Sequence, residues 1–329
     1  MRIPFEELKT EFKRVLIKLD FPEAKAGQCA QIFAENSRDG VYTHGLNRFP
    51  TFVKYVKQGV IKPDAEPTLV NAFGALEQWD GNLGPGIINA LFCMNRAVEL
   101  AETNGIGCVA IRGTNHWMRG GTYGWQAADA GFIGINFTNT IANVAPWGGT
   151  TPTLGNNPLV ISVPRKEGHV VLDMAVSQFS IGKLQQYQSY GEQLPVSGGY
   201  DKEGNLSTNP AAILDSKRVL PIGFWKGSGL SLVLDLLASV LSQGKSTKQI
   251  SDQSIESGIS QVFIAIKPQN TQQTDDLIEE IINFTKSSHQ TNANKPVAYP
   301  GESTLKTRRE NTTKGVLVDE KIWAEVRAL

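Results

Sequence analysis

The segment from Gly120 to Pro164 contains a single charged residue, Asp129, and this near absence of charge limits how the chain can fold. It consists of short apolar runs broken by Gly, Asn and Pro, a pattern typical of closely packed strands and loops. Because solvated surfaces are rich in charged residues, this composition is not typical of an exposed segment. We therefore predict that it forms part of the core or the wall of a buried site.

The charges of the whole chain balance, with 32 Lys and Arg against 32 Asp and Glu. Because nucleic-acid binding needs a basic surplus or a basic stripe, we expect no nucleic-acid partner. A chain of 329 residues with 40% hydrophobic residues can bury a core of its own. Its length suggests roughly two domains.

Three scattered cysteines, Cys29, Cys93 and Cys108, form no C-x-x-C pair, as expected of buried thiols in a reducing compartment. The N-terminus mixes charges of both signs and has no apolar segment that would suit a signal peptide. The longest apolar stretch, 229–241, is interrupted by Asp235 and is too short to span a bilayer. We therefore expect a cytoplasmic protein with no membrane partner.

Apolar spacing predicts helices near both ends of the chain and a mixture of strands and helices between them. The predicted helices cover 5–18, 22–37, about 48–57, 83–104, 227–243, 275–286 and much of the last 28 residues. The predicted strands cover 105–111, 134–139, 159–163, 169–175 and 261–266. The helix at 227–243 is apolar nearly all round, so we expect it to be central. Polar, turn-rich residues 185–210 predict a surface excursion.

Several common functional motifs are missing from the sequence. The G-x-G-x-x-G fingerprint after a first strand is absent, which argues against a standard Rossmann domain. Residues 244–247 copy the end of a P-loop, but position 239 is Ser and a helix precedes them, so we interpret them as a helix end. The four histidines lack the spacing of a zinc site, and G-x-S-x-G is absent. We therefore predict neither a metal site nor a serine nucleophile.

Residues 42–50 combine a histidine and an arginine. His44 and Arg48 are four residues apart, so a helical turn would point them in the same direction. Arginine can bind a carboxylate through two hydrogen bonds, and histidine can protonate an oxygen on which charge develops, as reduction of a 2-oxo acid requires. The alternative is a helix start with a capping histidine and a surface arginine, and spacing alone favours that alternative.

A second dense segment, 112–121, follows a predicted strand and carries Asn115 and His116. Ligands of α/β proteins tend to bind at such strand ends, although a turn stabilised by Asn and His explains the same residues.

Farther along, the segment 224–229 leads into a helix and contains two glycines and Lys226. This segment is either a phosphate cradle or an ordinary glycine-rich helix entry.

These segments occur in one order: T-H-G-L-N-R-F at 43–49, N-H-W-M-R-G-G at 115–121, V-A-P-W-G-G to L-G-N-N-P at 144–158, L-D-M-A at 172–175, W-K-G-S-G-L at 225–230 and P-G-E at 300–302. In this respect the chain resembles, nearly end to end, the type-2 malate/L-lactate dehydrogenase family, which is unrelated to the Rossmann-type lactate and malate dehydrogenases. The resemblance implies an α/β (α+β) fold without a standard Rossmann domain. A mainly helical domain would comprise 1–72 with 290–329, and a mixed domain with a largely antiparallel sheet would comprise 73–289.

The same resemblance implies the cofactor, the assembly and several site residues. It implies NADH, or NADPH, and a homodimer with its sites near the subunit interface. His44 corresponds to the family's proton donor, and Thr43 replaces the Ser that commonly precedes it. The cofactor-binding residues that it implies are His169, Val170, Val171, Leu172, Asp173, Met174, Ala175, Trp225, Lys226, Gly301, Glu302 and Ser303.

The residues and the resemblance together predict hydride transfer from NADH to a small anionic substrate, a polyhydroxylated 2-oxo sugar acid. From residue chemistry we expect His44 to act as an imidazolium, Arg48 to anchor the carboxylate, and Asn115 or His116 to polarise the carbonyl. The alternatives within the family are a malate, lactate or ureidoglycolate dehydrogenase or an imine reductase. The alternative outside it is a non-enzymatic protein that binds a nucleotide or a sugar acid.

Overall fold

The computed structural model describes residues 1–269, 271–290 and 296–329 and has a mixed α/β fold. Its α-helices are α1 (Phe5–Ile17), α2 (Glu23–Arg38), α3 (Phe49–Lys57), α4 (Gly86–Asn104), α5 (Gly121–Asp129), α6 (Ile181–Tyr190), α7 (Pro210–Ser216), α8 (Trp225–Ser242), α9 (Thr247–Ser251), α10 (Gln272–Lys286), α11 (Glu302–Lys314) and α12 (Glu320–Ala328). Two 3₁₀ turns, Tyr42–His44 and Leu46–Arg48, lie between α2 and α3. In these residues no helix has the length and apolar character needed to cross a membrane.

The strands are β1 (Arg2–Ile3), β2 (Thr68–Phe73), β3 (Leu76–Asp80), β4 (Ile106–Thr114), β5 (Ile133–Thr138), β6 (Ala142–Val144), β7 (Leu154–Gly155), β8 (Leu159–Val163), β9 (Val170–Met174), β10 (Gly199–Tyr200), β11 (Leu206–Ser207), β12 (Ile259–Ile266) and β13 (Val316–Leu317). Seven strands form one sheet in the order β2-β3-β4-β12-β5-β8-β9. In this sheet β3 and β4 run parallel, whereas the other neighbours pair antiparallel. The prediction of a largely antiparallel sheet is therefore confirmed.

The predicted helices and strands are confirmed, with boundaries within three residues of the observed ones. The end of α2 shows why such boundaries can be read from sequence. Gly40 follows the helix with φ +84°, a left-handed conformation that glycine adopts without steric cost. The near-uncharged segment 120–164 forms α5 and strands β5 to β8. Since β5 and β8 lie inside the sheet, the prediction that this segment belongs to the core is confirmed for these strands, whereas most residues from 147 to 153 are exposed.

The two ends of the chain contribute to one apolar core. β1 pairs with β13, and Trp323 and Val326 of α12 are buried together with residues of α1, α2 and α3. Phenylalanine rings pack edge to face in this core, with the centroids of Phe33 and Phe49 5.1 Å apart. This packing agrees with a helical domain made from both ends, and the exact domain boundaries stay a prediction.

Helices cover the two faces of the central strands. Successive side chains of a strand point to opposite faces, so neighbouring residues enter different cores. Val109 and Ile111 of β4 pack with α4 and with Phe263 of β12. Ala110 of β4 and Val262 of β12 pack instead against α8. The sheet is thus enclosed between α4 and α8, and the loops at its edges are left to build a site.

The prediction that the helix at 227–243 is central is wrong for the single chain. α8 buries Leu234 and Ala238 against the sheet. A stripe on its other side is exposed and consists of Leu232, Val233, Leu236, Leu237 and Val240. Apolar residues all round a helix predict contacts on every side, and within one chain the sheet supplies contacts on one side only.

Residues 185–210 are mostly exposed, which confirms the prediction of a surface excursion. They contain the end of α6, the β10–β11 hairpin and the start of α7. These elements have a small core of their own, made of Leu184, Leu194, Ile213 and Val219. The apolar residues are too widely spaced in a polar segment to give a periodic signal.

Candidate active site

His44 and Arg48 lie on the two 3₁₀ turns rather than on one α-helical turn. Gly45 separates the turns, and a Cβ at this position would lie 2.8 Å from the backbone nitrogen of Ser37 in α2. The Ser37 hydroxyl accepts a hydrogen bond from the Leu46 N–H at 2.9 Å. α2 therefore fixes the backbone between the histidine and the arginine.

The His44 ring stacks on the ring of His116, with centroids 5.7 Å apart and an interplanar angle of 17°. Burial, aided by the positive charges of Arg48 and Arg119, lowers the pKa of His44 to about 4, although Asp173 acts in the opposite direction. A ring with this pKa is neutral at pH 7. The prediction that His44 acts as an imidazolium therefore requires that the ring gain its proton when a ligand binds, because two cations and a shielded position disfavour the charge in the ligand-free protein.

Asp173 is the acidic residue that favours a proton on His44, and its own position is fixed by two neighbours. Its Oδ2 accepts the Gly121 N–H at 2.9 Å and lies 3.6 Å from Nε of Arg119. Arg119 is buried and forms an ion pair with Asp39 at 2.9 Å. The resemblance assigned Asp173 to the cofactor, Arg119 lay in the dense segment 112–121 without an assigned role, and Asp39 had no sequence signal. The tertiary structure brings these three residues together.

His116 is held as a neutral ring with its proton on Nε2. Its Nδ1 accepts the Met118 N–H at 3.0 Å, in a turn where Met118 has φ +66°. Burial, together with Arg48 and His44, lowers the pKa of His116 well below its ordinary value. The remaining Nε2–H is a hydrogen-bond donor of defined tautomer.

Asn115 has a different role from the one predicted. Its Nδ2 donates to the backbone carbonyls of Leu83 at 2.9 Å, Gly84 at 3.1 Å and Val60 at 3.3 Å. Both amide hydrogens are therefore engaged by the backbone, and neither can polarise a substrate carbonyl. Of the two predicted alternatives, this geometry argues against Asn115 and in favour of His116. Asn115 instead holds the loop that carries His116.

A small cavity joins the two sequence segments. It is lined by Arg48, Phe52, Tyr55, Ile61, Asn115, His116, Met118 and Glu256, and its volume of about 10 Å³ is room for roughly one water molecule. In the part of the chain that the structure describes, the Arg48 guanidinium has no carboxylate within 4.0 Å. The cavity therefore offers an arginine available to an anion beside a neutral histidine donor.

Glu256 is a residue of this cavity that sequence analysis missed. It lies in the connection between α9 and β12, and its Oε2 accepts the Ile141 N–H at 2.9 Å. β12 begins opposite the end of β4, where Ile259 pairs with Thr114. The residues before β12 thus meet the loop after β4, a proximity that depends on strand pairing and has no local sequence signal.

Two of the predicted cofactor segments lie side by side. The Val171 N–H in β9 donates to the Pro300 carbonyl at 2.9 Å. Gly301 has φ +100°, and a Cβ there would lie 3.0 Å from the carbonyl oxygen of His169. Glu302 begins α11 and pairs with Lys286. The chain therefore brings residues 169–175 and 301–303 together.

The His169 side chain is engaged in holding its own loop. Its Nδ1 accepts the Arg165 N–H at 3.0 Å, and its Nε2 lies 2.9 Å from Oδ1 of Asp129. With both ring nitrogens engaged, the contribution of His169 to a cofactor site would come from its backbone.

The third predicted segment, Trp225 and Lys226, begins α8 and is exposed. The Ile222 N–H donates to the Val176 carbonyl at 2.8 Å, so the start of α8 lies beside the end of the β9 segment in space. Phe224 has φ +59°, an unusual conformation for an aromatic residue, and such strain occurs often at ligand sites. Exposed aromatic rings, a lysine and a helix N-terminus suit the rings and phosphates of a dinucleotide.

Comparison with known proteins identifies the class. The sequence profile of the family described as malate/L-lactate dehydrogenase matches residues 3–327. The chain therefore belongs to the malate/L-lactate dehydrogenase family and is an oxidoreductase. Membership of this family implies a nicotinamide cofactor.

Individual relatives cover the whole chain. The 2,3-diketo-L-gulonate reductase of Escherichia coli O6:K15:H31 is 44% identical over 100% of both chains. The malate dehydrogenase of Entamoeba histolytica has a similar structure, with a TM-score of 0.93 and 25% identity, covering 100% of this chain and 96% of the other. The sulfolactate dehydrogenase of Methanocaldococcus jannaschii has a TM-score of 0.89 and 28% identity, covering 99% and 95%.

Proposed function

We propose that the chain is an NADH-dependent reductase of a small 2-oxo sugar acid, with 2,3-diketo-L-gulonate as its substrate and 3-dehydro-L-gulonate as its product. The observation that carries the proposal is that Arg48 and His116 line one cavity while the ring of His44 stacks on that of His116. An anion-binding group, a neutral donor and a proton-transfer group are what reduction of a 2-oxo acid requires. The full-length likeness to a 2,3-diketo-L-gulonate reductase supports this choice of substrate.

Each side chain has a role that follows from its contacts. Arg48 binds the substrate carboxylate, for which no described carboxylate within 4.0 Å competes. His116 donates its Nε2–H to the ketone oxygen and is preorganised by its bond from Met118. His44 transfers a proton to the same oxygen as that oxygen becomes an alkoxide, which completes the hydroxyl group.

His44 must gain this proton when the substrate binds, since its pKa of about 4 leaves the free ring neutral. A substrate carboxylate beside Arg48 would offset one of the positive charges that lower this pKa. Asp173, held by the Gly121 N–H, would then favour the imidazolium. Substrate binding and proton uptake are thus coupled in this proposal.

NADH, when bound, supplies the hydride that adds to the ketone carbon. We propose that residues 169–175 and 301–303 hold one part of the cofactor and that Trp225 and Lys226 hold another. The adjacency of the first two segments and the exposure of the third support this assignment. The choice of NADH over NADPH is part of the same proposal.

We also propose that two copies of the chain form a homodimer through α8. Its exposed apolar stripe is continuous with the start of the helix, so a partner seated there would lie near Trp225 and Lys226. Light scattering after size exclusion should give the mass of a dimer, and Leu236→Glu with Val240→Glu should give a monomer. A monomeric wild-type protein at micromolar concentration would exclude this assembly.

The cytoplasmic location stays a prediction, supported by the burial of the thiols of Cys29 and Cys93.

The test is a substrate panel followed by NADH absorbance. The proposal predicts a higher kcat/KM for 2,3-diketo-L-gulonate than for pyruvate, oxaloacetate or a cyclic imine, and a lower KM for NADH than for NADPH. Preference for oxaloacetate or pyruvate would identify a malate or lactate dehydrogenase instead. Thermal stabilisation by these ligands without NADH oxidation would indicate a binding protein.

A further inference from the structure

We infer that Glu256 determines substrate specificity by accepting hydrogen bonds from the hydroxyl groups of the sugar acid whose carboxylate Arg48 binds. The inference rests on the proposed function and concerns the part of the substrate beyond the reacting ketone. Glu256 would thus act on a different part of the substrate from His44 and His116, which act on the ketone oxygen.

The position of Glu256 is fixed by the sheet. The pairing of Ile259 with Thr114 places the residues before β12 beside the loop after β4 that carries His116. The hydrogen bond from Ile141 N–H to Oε2 of Glu256 then holds the carboxyl group at the cavity lined by Arg48 and His116. Ile141 belongs to the near-uncharged segment 120–164.

The surroundings of the Glu256 carboxyl group favour additional hydrogen-bond donors. Burial raises the pKa of Glu256, while the Ile141 N–H and the charge of Arg48 act against that rise. Within the described ranges no lysine, arginine or histidine nitrogen lies within 4.0 Å of the Glu256 carboxyl group. A shielded carboxylate with one backbone donor and no ion pair is stabilised by further hydrogen-bond donors. Hydroxyl groups of a ligand would supply them.

This arrangement distinguishes three kinds of 2-oxo acid. In a cavity widened from its present volume of about 10 Å³, a polyhydroxylated acid can donate to Glu256 while its carboxylate remains on Arg48. Pyruvate has no hydroxyl group and leaves the glutamate without a donor. The second carboxylate of oxaloacetate would meet Glu256 with like charge, which is unfavourable. The same cavity therefore favours a sugar acid over both simpler substrates.

The test compares the wild-type chain with Glu256→Gln. Glutamine keeps the size of the side chain and an oxygen for the Ile141 N–H. A matched control is Asp252→Asn, which removes an exposed carboxylate of the same connection, paired with Lys248. We measure kcat/KM for 2,3-diketo-L-gulonate, pyruvate and oxaloacetate with NADH. Where turnover of pyruvate is too slow to follow, its competitive inhibition constant replaces it.

We expect Glu256→Gln to lower the preference for 2,3-diketo-L-gulonate over pyruvate by about 10- to 100-fold, the usual effect of removing hydrogen bonds to a charged group. The relative rate with oxaloacetate should rise, and Asp252→Asn should leave every ratio unchanged. Equal losses with all substrates, or a preference within threefold of the wild type, would overturn the role of Glu256 alone. A wild-type chain that fails to oxidise NADH with 2,3-diketo-L-gulonate would overturn the proposed function and this inference with it.

Discussion

Replacing Gly86 with alanine should disturb the active site from a helix that contributes no catalytic group. Gly86 begins α4 and packs against the loop that carries His116. An alanine Cβ would lie 2.5 Å from the His116 carbonyl carbon, with the carbonyl oxygens of Asn115 and His116 closer still. Ordinary contact begins at 3.4 Å, so the loop must move by at least about 0.9 Å.

A displacement of about 1 Å in a positioned group can lower catalysis on the order of 100-fold. We therefore expect Gly86→Ala to lower kcat/KM for 2,3-diketo-L-gulonate by roughly that factor, because the His116 ring leaves its place against His44 and in the cavity that Arg48 lines. The packing strain should lower the free energy of unfolding by about 1–3 kcal/mol. Steady-state NADH oxidation and urea denaturation measure the two effects.

Gly27→Ala is the matched control. Gly27 lies inside α2, where an added Cβ meets nothing within 4 Å. Alanine in a helix interior is more stable than glycine by about 0.5–1 kcal/mol, so this variant should be slightly stabilised and fully active. Wild-type kcat/KM in Gly86→Ala would show that the His116 loop does not position the reacting groups.

Three further predictions follow from the electrostatics of the site. Reduction needs a protonated His44, and the pKa of this ring in the ligand-free protein is about 4. We therefore expect kcat/KM to fall about tenfold per pH unit between pH 6 and 8. A plateau in kcat/KM up to pH 7 would contradict this expectation. Asp173→Asn removes the charge that raises the His44 pKa and should lower kcat/KM at pH 7 about 10-fold or more, whereas equal rates in stopped-flow assays would argue against the pairing. Asp39→Asn removes the shorter of the two ion pairs of the buried Arg119 and should cost about 3–5 kcal/mol in urea denaturation, against less than about 1 kcal/mol for the exposed Asp252→Asn.

Sequence patterns predicted the elements of the fold because those elements depend on local spacing. The segment 159–163 is a strand at the predicted residues, and α2 ends at Arg38, one residue from the predicted end. The position of α8 could not be predicted in this way. Its apolar residues indicate burial on all sides, but the sequence does not say whether the sheet or a second chain supplies each contact.

The types of residue in the site could be predicted from the sequence, but their protonation and their hydrogen-bond partners could not. His44, Arg48 and His116 could be singled out from two short segments, and the structure brings them together. The neutral form of His44 depends on burial and on Arg119, 75 residues farther along the chain. Whether an amide such as that of Asn115 faces a ligand or the backbone also depends on tertiary packing.

The proposal that His44 gives the proton to the substrate is tested most directly by a single-turnover measurement. Excess enzyme carrying NADH is mixed with 2,3-diketo-L-gulonate, and the loss of NADH absorbance is compared in the wild type and in His44→Ala. The account predicts a rate lower by about 100-fold or more in the variant, with NADH binding unchanged by fluorescence titration. A variant that oxidises NADH at the wild-type rate would contradict it.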